Sequence, residues 1–209
     1  MRLGIVTDVH NHAAELASAL AAFRLRGVDR VVTIGDSGDV FGRGGGLADV
    51  TRLFDEAGVV GVWGNHDFSL CRDVPDDLRE RYPSEALAVM ARMEPRLLIG
   101  DCHFSHKEAN IDPHDVEQLW ELSERPLDLT GKATTAFATS PARLHFVGHY
   151  HQWWAGTPAA TGWAGEGVLK LTPGERYLVV VAAVCDGWCA LLDTDRGELE
   201  PIWCGVSHS

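Results

Sequence analysis

Apolar residues fall into short blocks along this chain, and the spacing between blocks changes with position. Leu3 to Thr7 is a continuous apolar run of strand length. Asn11 is a candidate cap for a helix from about Ala13 to Arg26, with Leu16, Leu20 and Phe23 on one face and Gly27 beyond its end. Val28 to Ile34 reads as a second strand. Leu47 to Ala57 reads as a helix, with Leu47, Val50, Phe54 and Ala57 on one side and Gly58 ending it. Val59 to Trp63 is a third strand. The order β-α-β-α-β implies parallel strands, right-handed crossovers and an α/β sheet covered on its faces.

The middle is less regular. Arg72 to Arg81 is charged and predicts a solvated, irregular segment. Ser84 to Met93 predicts a short helix, and Leu97 to Ser105 a hairpin turning at Gly100-Asp101. Asp112-Pro113 has the form of a helix start, with a capping Asp and Pro at the first helical position, and that helix is expected to reach about Ser123. Leu144 to Val147 is a short strand. Beyond it, Gly167 to Leu171, Tyr177 to Val184, Trp188 to Leu192 and Leu199 to Trp203 are strand-like. Pro173-Gly174, Asp186-Gly187 and Arg196-Gly197 supply turns between them, which favours antiparallel pairing.

With 209 residues, 45% apolar and 23% charged, one domain over 1–209 is expected, with a core large enough to need no disulfide or structural metal for folding. The 18 basic and 30 acidic residues give a net charge of −12. That balance predicts neither stable nucleic-acid binding nor membrane binding. An anionic substrate would need a local positive source, and a bound metal is the obvious one. The longest apolar run, Tyr177 to Cys185, is too short to span a membrane, and Asp8 interrupts the N-terminal run early. A cytoplasmic protein is therefore expected. Five Cys without a C-x-x-C pair read as free thiols.

Five polar segments share one placement, each directly after an apolar strand. They are Asp8-Val9-His10, Gly35-Asp36-Ser37-Gly38-Asp39, Gly64-Asn65-His66-Asp67, Ser105-His106 and Gly148-His149-Tyr150-His151. Sites in α/β sheets form at the carboxyl ends of parallel strands, so these side chains can converge. Alone, D-x-H is commonplace, and G-D-x-x-D fits a turn with a helix cap. All five together are hard to obtain from packing. Imidazole and carboxylate donors suit Mn, Fe, Ni or Zn.

This ordered set, D-x-H, G-D-x-x-D, G-N-H-D, H and G-H-x-H, resembles the calcineurin-like metallophosphoesterases, and the compact bacterial phosphodiesterases among them in particular. The resemblance implies an α/β fold in which a two-sheet β-sandwich is flanked by helices, four layers in the order α/β/β/α. It implies that Asp8, His10 and His151 hold one divalent metal ion, that Asn65, His106 and His149 hold a second, and that Asp36 bridges the two. His66 would stand beside the leaving-group oxygen, oriented by Asp39, and Asp67 would have a supporting role. His103 is a rival for the position given to His106, which ends the predicted hairpin strand.

Phosphate esters resist attack because their oxygens repel an anionic nucleophile. Two divalent ions neutralise those oxygens and lower the pKa of a bridging water toward about 7, so hydroxide is available as nucleophile. Manganese is the favoured ion, with iron, nickel or zinc as alternatives. The expected partner is a small phosphate ester. Val40-Phe41 after Asp39, and Asp67 where protein phosphatases of the family have Glu, favour a phosphodiesterase on a small molecule or nucleotide. The alternatives are a phosphomonoesterase, a nucleotide pyrophosphatase and a non-catalytic scaffold. Around the motifs, Arg43 between glycines is either a phosphate clamp or part of a surface loop. It is no P-loop, because G-K-[ST] is missing. Lys107 either touches phosphate or is solvated, and His12 reads as an exposed helix-start residue. Trp153 and Trp154 either stack a base or cover the sheet, Trp120 reads as core, and Cys185 and Cys189 as packing residues.

Overall fold

The computed structural model describes residues 1–42, 46–121 and 129–205. In chain order the elements are β1 (Arg2–Val6), α1 (Ala13–Leu25), β2 (Arg30–Ile34), α2 (Leu47–Ala57) and β3 (Val60–Val62), followed by α3 (Phe68–Cys71), α4 (Asp76–Arg81) and α5 (Ser84–Met90). Next come β4 (Leu97–Ile99), β5 (Cys102–Phe104), α6 (Val116–Leu119), α7 (Thr130–Thr139) and β6 (Leu144–Val147). The last third holds β7 (Trp154–Gly156), β8 (Thr161–Trp163), β9 (Leu169–Lys170), β10 (Tyr177–Val180), β11 (Trp188–Asp193) and β12 (Glu198–Trp203).

The strands form two six-stranded mixed sheets, ordered β3-β2-β1-β11-β12-β9 and β4-β5-β6-β10-β7-β8. Parallel pairing joins β1, β2 and β3 in the first sheet and β5, β6 and β10 in the second. Strand alternation then decides the layers. Leu3, Ile5, Val32 and Ile34 point inward against Phe104, Phe146 and Val179 of the other sheet. The outer face of the first sheet packs Val31 and Leu191 against Leu16, Phe23 and Phe54 of α1 and α2. The outer face of the second packs Leu178 and Val180 against Ala133 and Phe137 of α7. The result is the four-layer α/β/β/α sandwich.

Several boundaries differ from the pattern-based expectation. Tyr177 to Val184 is buried throughout, but the strand ends at Val180. Residues 181–184 then cross to the first sheet, where the Val184 amide donates to the Thr7 carbonyl at 2.9 Å. The expected long helix from Asp112 is a single turn. The Asp112 side chain accepts from the His114 amide at 3.0 Å in a local turn, and Asp115 instead caps α6 through the Gln118 amide. The charged stretch expected to be irregular contains α4, whose Leu78 is buried. His12, not Asn11, is the cap residue of α1. No described helix is long and apolar enough to cross a membrane.

On the outer face of the second sheet, His103 and His145 are direct neighbours across the β5–β6 ladder, with ring centroids 5.1 Å apart. Both are buried, and burial lowers each to a pKa of about 4. Unfolding returns them toward about 6.5, so the unfolded chain binds more protons between those values. Their stabilising effect is complete above about pH 6.5 and is lost as pH falls toward 4. Urea midpoints should therefore decline across that window. A His103→Gln/His145→Gln double variant should show a flatter decline, and an unchanged slope would rule the pair out as its source.

Candidate metal centre

The parallel strands β1, β2, β3, β5 and β6 end on one edge of the sandwich, and each delivers one polar segment there. Asp8 follows β1, Asp36 follows β2, Asn65 follows β3, His106 follows β5, and His149 and His151 follow β6. Backbone bonds tie these ends together. The Asp8 amide donates to the Gly35 carbonyl at 3.0 Å, His10 to Asp36 at 3.0 Å, and Gly148 to His106 at 3.1 Å. Asp8, His10, Asp36, His149 and His151 all adopt positive φ, between 45° and 68°. That left-handed conformation is unfavourable for side-chain-bearing residues, and it turns each side chain off its strand toward a common point.

Asp8 and Asp36 are buried at the centre. Thr7 Oγ1 donates to Asp8 Oδ2 at 2.6 Å, and the His149 amide donates to the same oxygen at 3.0 Å. Asp8 Oδ1 is buried with no hydrogen-bond partner among the described residues. It faces His151 Nε2 at 3.3 Å and His10 Nε2 at 3.9 Å, and those two nitrogens are 3.3 Å apart. A buried oxygen without a donor, opposite two imidazole nitrogens, is the arrangement a cation satisfies.

A second convergence lies on the other side of Asp36. Asn65 Oδ1 is 2.9 Å from His106 Nε2 and 3.0 Å from His149 Nδ1. Each ring's remaining nitrogen is committed as a donor, His106 Nδ1 to the Ile34 carbonyl at 2.9 Å and His149 Nε2 to the Glu121 carbonyl at 3.2 Å. Those bonds direct the other nitrogen's lone pair at the Asn65 oxygen, which is how outer-shell partners orient metal-binding histidines. Asp36 Oδ2 lies between the two groups, 3.8 Å from His10 Nε2 and 3.3 Å from His106 Nε2. Donor atoms of Asp8, His10 and Asp36 lie within 4.8 Å of one another, as do those of His10, His151 and Cys185 and those of His10, Asp39 and His66. The residues present therefore fit metal ions.

The electrostatics agree. Burial opposes ionisation of Asp8 and Asp36, but the imidazoles of His151 and His106 keep both carboxyls below their ordinary range. Burial likewise opposes the charge on His106 and His151. Asp36 raises the first to about 9, and Asp8 with Cys185 raises the second to about 11. His149 has no such carboxylate contact, and burial with the His106 charge lowers it to about 3. Cations bound here compete with those protons for the same lone pairs.

Beside this cluster, Asp39 Oδ1 lies 3.1 Å from His66 Nδ1, and the His66 ring meets His10 edge-on at 4.6 Å. Asp67 is buried and accepts the Ser37 and Gly64 amides, each at 2.6 Å, so it joins the second and third segments. Burial and the Asp36 charge raise its pKa to about 7.

Of the flanking residues, His12 and Trp154 stand as one of the expected readings had them, and Lys107 and Trp120 do not. His103 lies against Ser140 on the outer sheet face. Lys107 neither points to solvent nor reaches the cluster: it is buried, and Nζ donates to the Gln118 and Glu121 carbonyls at 3.0 and 2.6 Å. Trp154 packs in the core with Tyr150 and Leu178, and Trp153 meets Trp163 and Trp188. His12 is half-exposed near Glu15. Arg43 lies outside the described residues. Trp120, expected in the core, instead lies over His66 with ring centroids 4.6 Å apart. Cys185 Sγ and Asp186 Oδ2 approach His151 Nδ1 at 3.7 and 3.3 Å. Their placement at the end of the run that includes β10 was the available signal for them.

The calcineurin-like phosphoesterase superfamily domain matches residues 1–196. No curated protein matches the chain. Among solved structures, a metallophosphoesterase from Sphaerobacter thermophilus aligns with a TM-score of 0.74 at 21% identity, covering 97% of this chain and 87% of that one. An archaeal phosphodiesterase aligns with a TM-score of 0.55 at 16% identity, covering 97% and 99%. A dimetal phosphatase from Danio rerio aligns at 0.52 and 14% identity, covering 98% and 99%.

Gly148 permits the close packing of the first and last segments. A Cβ there would stand 2.0 Å from Thr7 Oγ1 and 2.7 Å from Asp8 Oδ2, both held in a buried hydrogen bond. Gly148→Ala should destabilise the fold by about 1–3 kcal/mol in urea denaturation. Gly131→Ala, in α7 with nothing within 4 Å, should be neutral or stabilising. Equal stability of the two variants would contradict the close packing at Asp8.

Proposed function

The chain belongs to the calcineurin-like phosphoesterase superfamily, and from that membership we propose that it is a dimetal phosphohydrolase acting on a phosphodiester of a small molecule or nucleotide. The observation that carries this reading is the pairing of two donor convergences across Asp36, with the Asp39–His66 pair alongside. In this reading Asp8, His10 and His151 hold one ion, Asn65, His106 and His149 hold the other, and Asp36 serves both. Bound divalent ions neutralise the phosphate oxygens and make hydroxide available at neutral pH. Manganese is the ion proposed, since this donor set suits several metals and availability decides among them.

The protein's own part is positioning and proton delivery. Asp39 occupies His66 Nδ1, which leaves Nε2 to protonate the departing oxygen. Asp39 is itself fixed by the Phe41 amide at 2.9 Å, so the imidazole is held from outside the ligand set. That division of labour favours an acid role for His66 over a ligand role. The Val40-Phe41 and Asp67 positions in the second and third segments favour a diester over a monoester.

With Mn²⁺ added to stripped protein, bis(p-nitrophenyl) phosphate should be hydrolysed faster than p-nitrophenyl phosphate. The reverse order would make the protein a phosphomonoesterase. His66→Ala should retain both metals by elemental analysis while turnover falls roughly 10²–10⁴-fold, and loss of metal would refute the acid role. Asp36→Asn should weaken both ions together in metal titrations, whereas an effect on one alone would exclude bridging.

A further inference from the structure

Two aromatic side chains stand exposed over His66, and neither belongs to the core. Phe41 is 71% exposed and Trp120 is 36% exposed. Their rings lie 5.8 and 4.6 Å from the His66 ring and 5.7 Å from each other. Exposed aromatic surface is unfavourable in water, and here it is continuous with a polar cluster, which marks it as surface for a ligand.

The backbone that carries each ring is held by a basic side chain from outside the cluster. Arg81 donates through Nη1 to the Val40 carbonyl at 2.8 Å and through Nη2 to the Gly42 carbonyl at 2.6 Å, clamping the backbone on either side of Phe41. Lys107 does the same for Trp120 by donating to the carbonyls of Gln118 and Glu121. Burying a lysine for two backbone carbonyls is costly, and what it fixes is the segment that carries an exposed indole. Rigid aromatic surfaces bind planar groups with little loss of side-chain entropy.

We propose that Phe41 and Trp120 form a ledge on which the leaving group of the substrate stacks, and that this group carries a planar heteroaromatic ring, as a nucleoside does. This rests on the reading of His66 as the residue beside the leaving-group oxygen. A group that departs past His66 meets these two rings first. Stacking on them selects the base by its π-face, without hydrogen-bond readout of its identity.

The test compares AMP with D-ribose 5-phosphate as competitive inhibitors of bis(p-nitrophenyl) phosphate hydrolysis by the Mn²⁺-loaded protein, because ribose 5-phosphate keeps the sugar phosphate and has a hydroxyl in place of the base. The inhibition constant for AMP should be roughly tenfold or more below that of ribose 5-phosphate. Phe41→Ala and Trp120→Leu should each reduce that ratio, and the double variant should bring it near one. The ribose 5-phosphate constant should stay unchanged in all of them, which also reports an intact fold. GMP and CMP should follow AMP within a few-fold. Equal inhibition by AMP and ribose 5-phosphate in the unsubstituted protein, or a base preference that survives the double variant, would overturn the ledge and leave the phosphohydrolase reading standing. No hydrolysis of the diester by the unsubstituted protein would overturn both.

Discussion

Left-handed backbone at the strand ends is the constraint on which the rest of the site depends. Among the described residues, seven non-glycine positions have positive φ, and five of them, Asp8, His10, Asp36, His149 and His151, belong to the clustered segments, with Asn11 directly after the first. Each such residue costs about 1–2 kcal/mol against ordinary backbone. Continuing in extended geometry would alternate these side chains above and below their sheets and scatter the donors. The reversal at each strand end brings them to one point. The cost is met by surrounding structure that leaves no alternative: a ladder of buried strands beneath, the Gly148–His106 bond between neighbouring strand ends of the second sheet, and the Val184–Thr7 bond that ties the run after β10 to the first sheet.

Charge is organised around the same point. The chain is strongly acidic overall, yet the two carboxylates that matter here are fully buried and ringed by imidazoles. Burial alone would neutralise them by protonation. Instead the histidines carry the compensating charge, so the carboxylates stay ionised and available to cations. Asp67, two residues beyond Asn65, shows the contrast. It accepts the Ser37, Gly38 and Gly64 amides but bonds no imidazole among the described residues, and burial beside Asp36 raises it to about 7. Neighbouring carboxylates thus diverge in behaviour because their partners differ.

How much of this was legible in the sequence follows from what hydrophobic pattern reports. Parallel strands buried on both faces read as continuous apolar runs, so β1, β2 and the polar segments after them could be placed from pattern alone. The same signal overran at Val181 to Val184, because apolarity records burial and not ladder pairing. Helices of weak pattern escaped it. The stretch of α7 is rich in Ala and Thr, and α4 is almost wholly charged with Leu78 as its single buried residue. Asp112-Pro113 failed as a helix start because an Asp side chain can satisfy a local turn as readily as a helix end. Lys107 was illegible for a different reason. Nothing local distinguishes a solvated lysine from one that reaches across a fold to two carbonyls.

That last case bears on where positive charge resides in this protein. Arg81 and Lys107 reach the loops around His66, and a basic residue beside a phosphate-handling site is ordinarily read as a phosphate ligand. Here both donate to backbone carbonyls of the loops that carry Phe41 and Trp120, and Lys107 also stands 3.9 Å from the Glu121 carboxylate. On the proposed reading, attraction for a phosphate comes from the cations that the histidine and carboxylate cluster would hold. The division is physically sensible. On the proposed reading the cluster would hold the metal charge that acts on the reacting group, while Arg81 and Lys107 fix the loops that carry the two exposed aromatic rings. On that reading an acidic chain would draw an anionic ester through its loaded cluster, and the proposed aromatic ledge would add contacts that do not depend on charge.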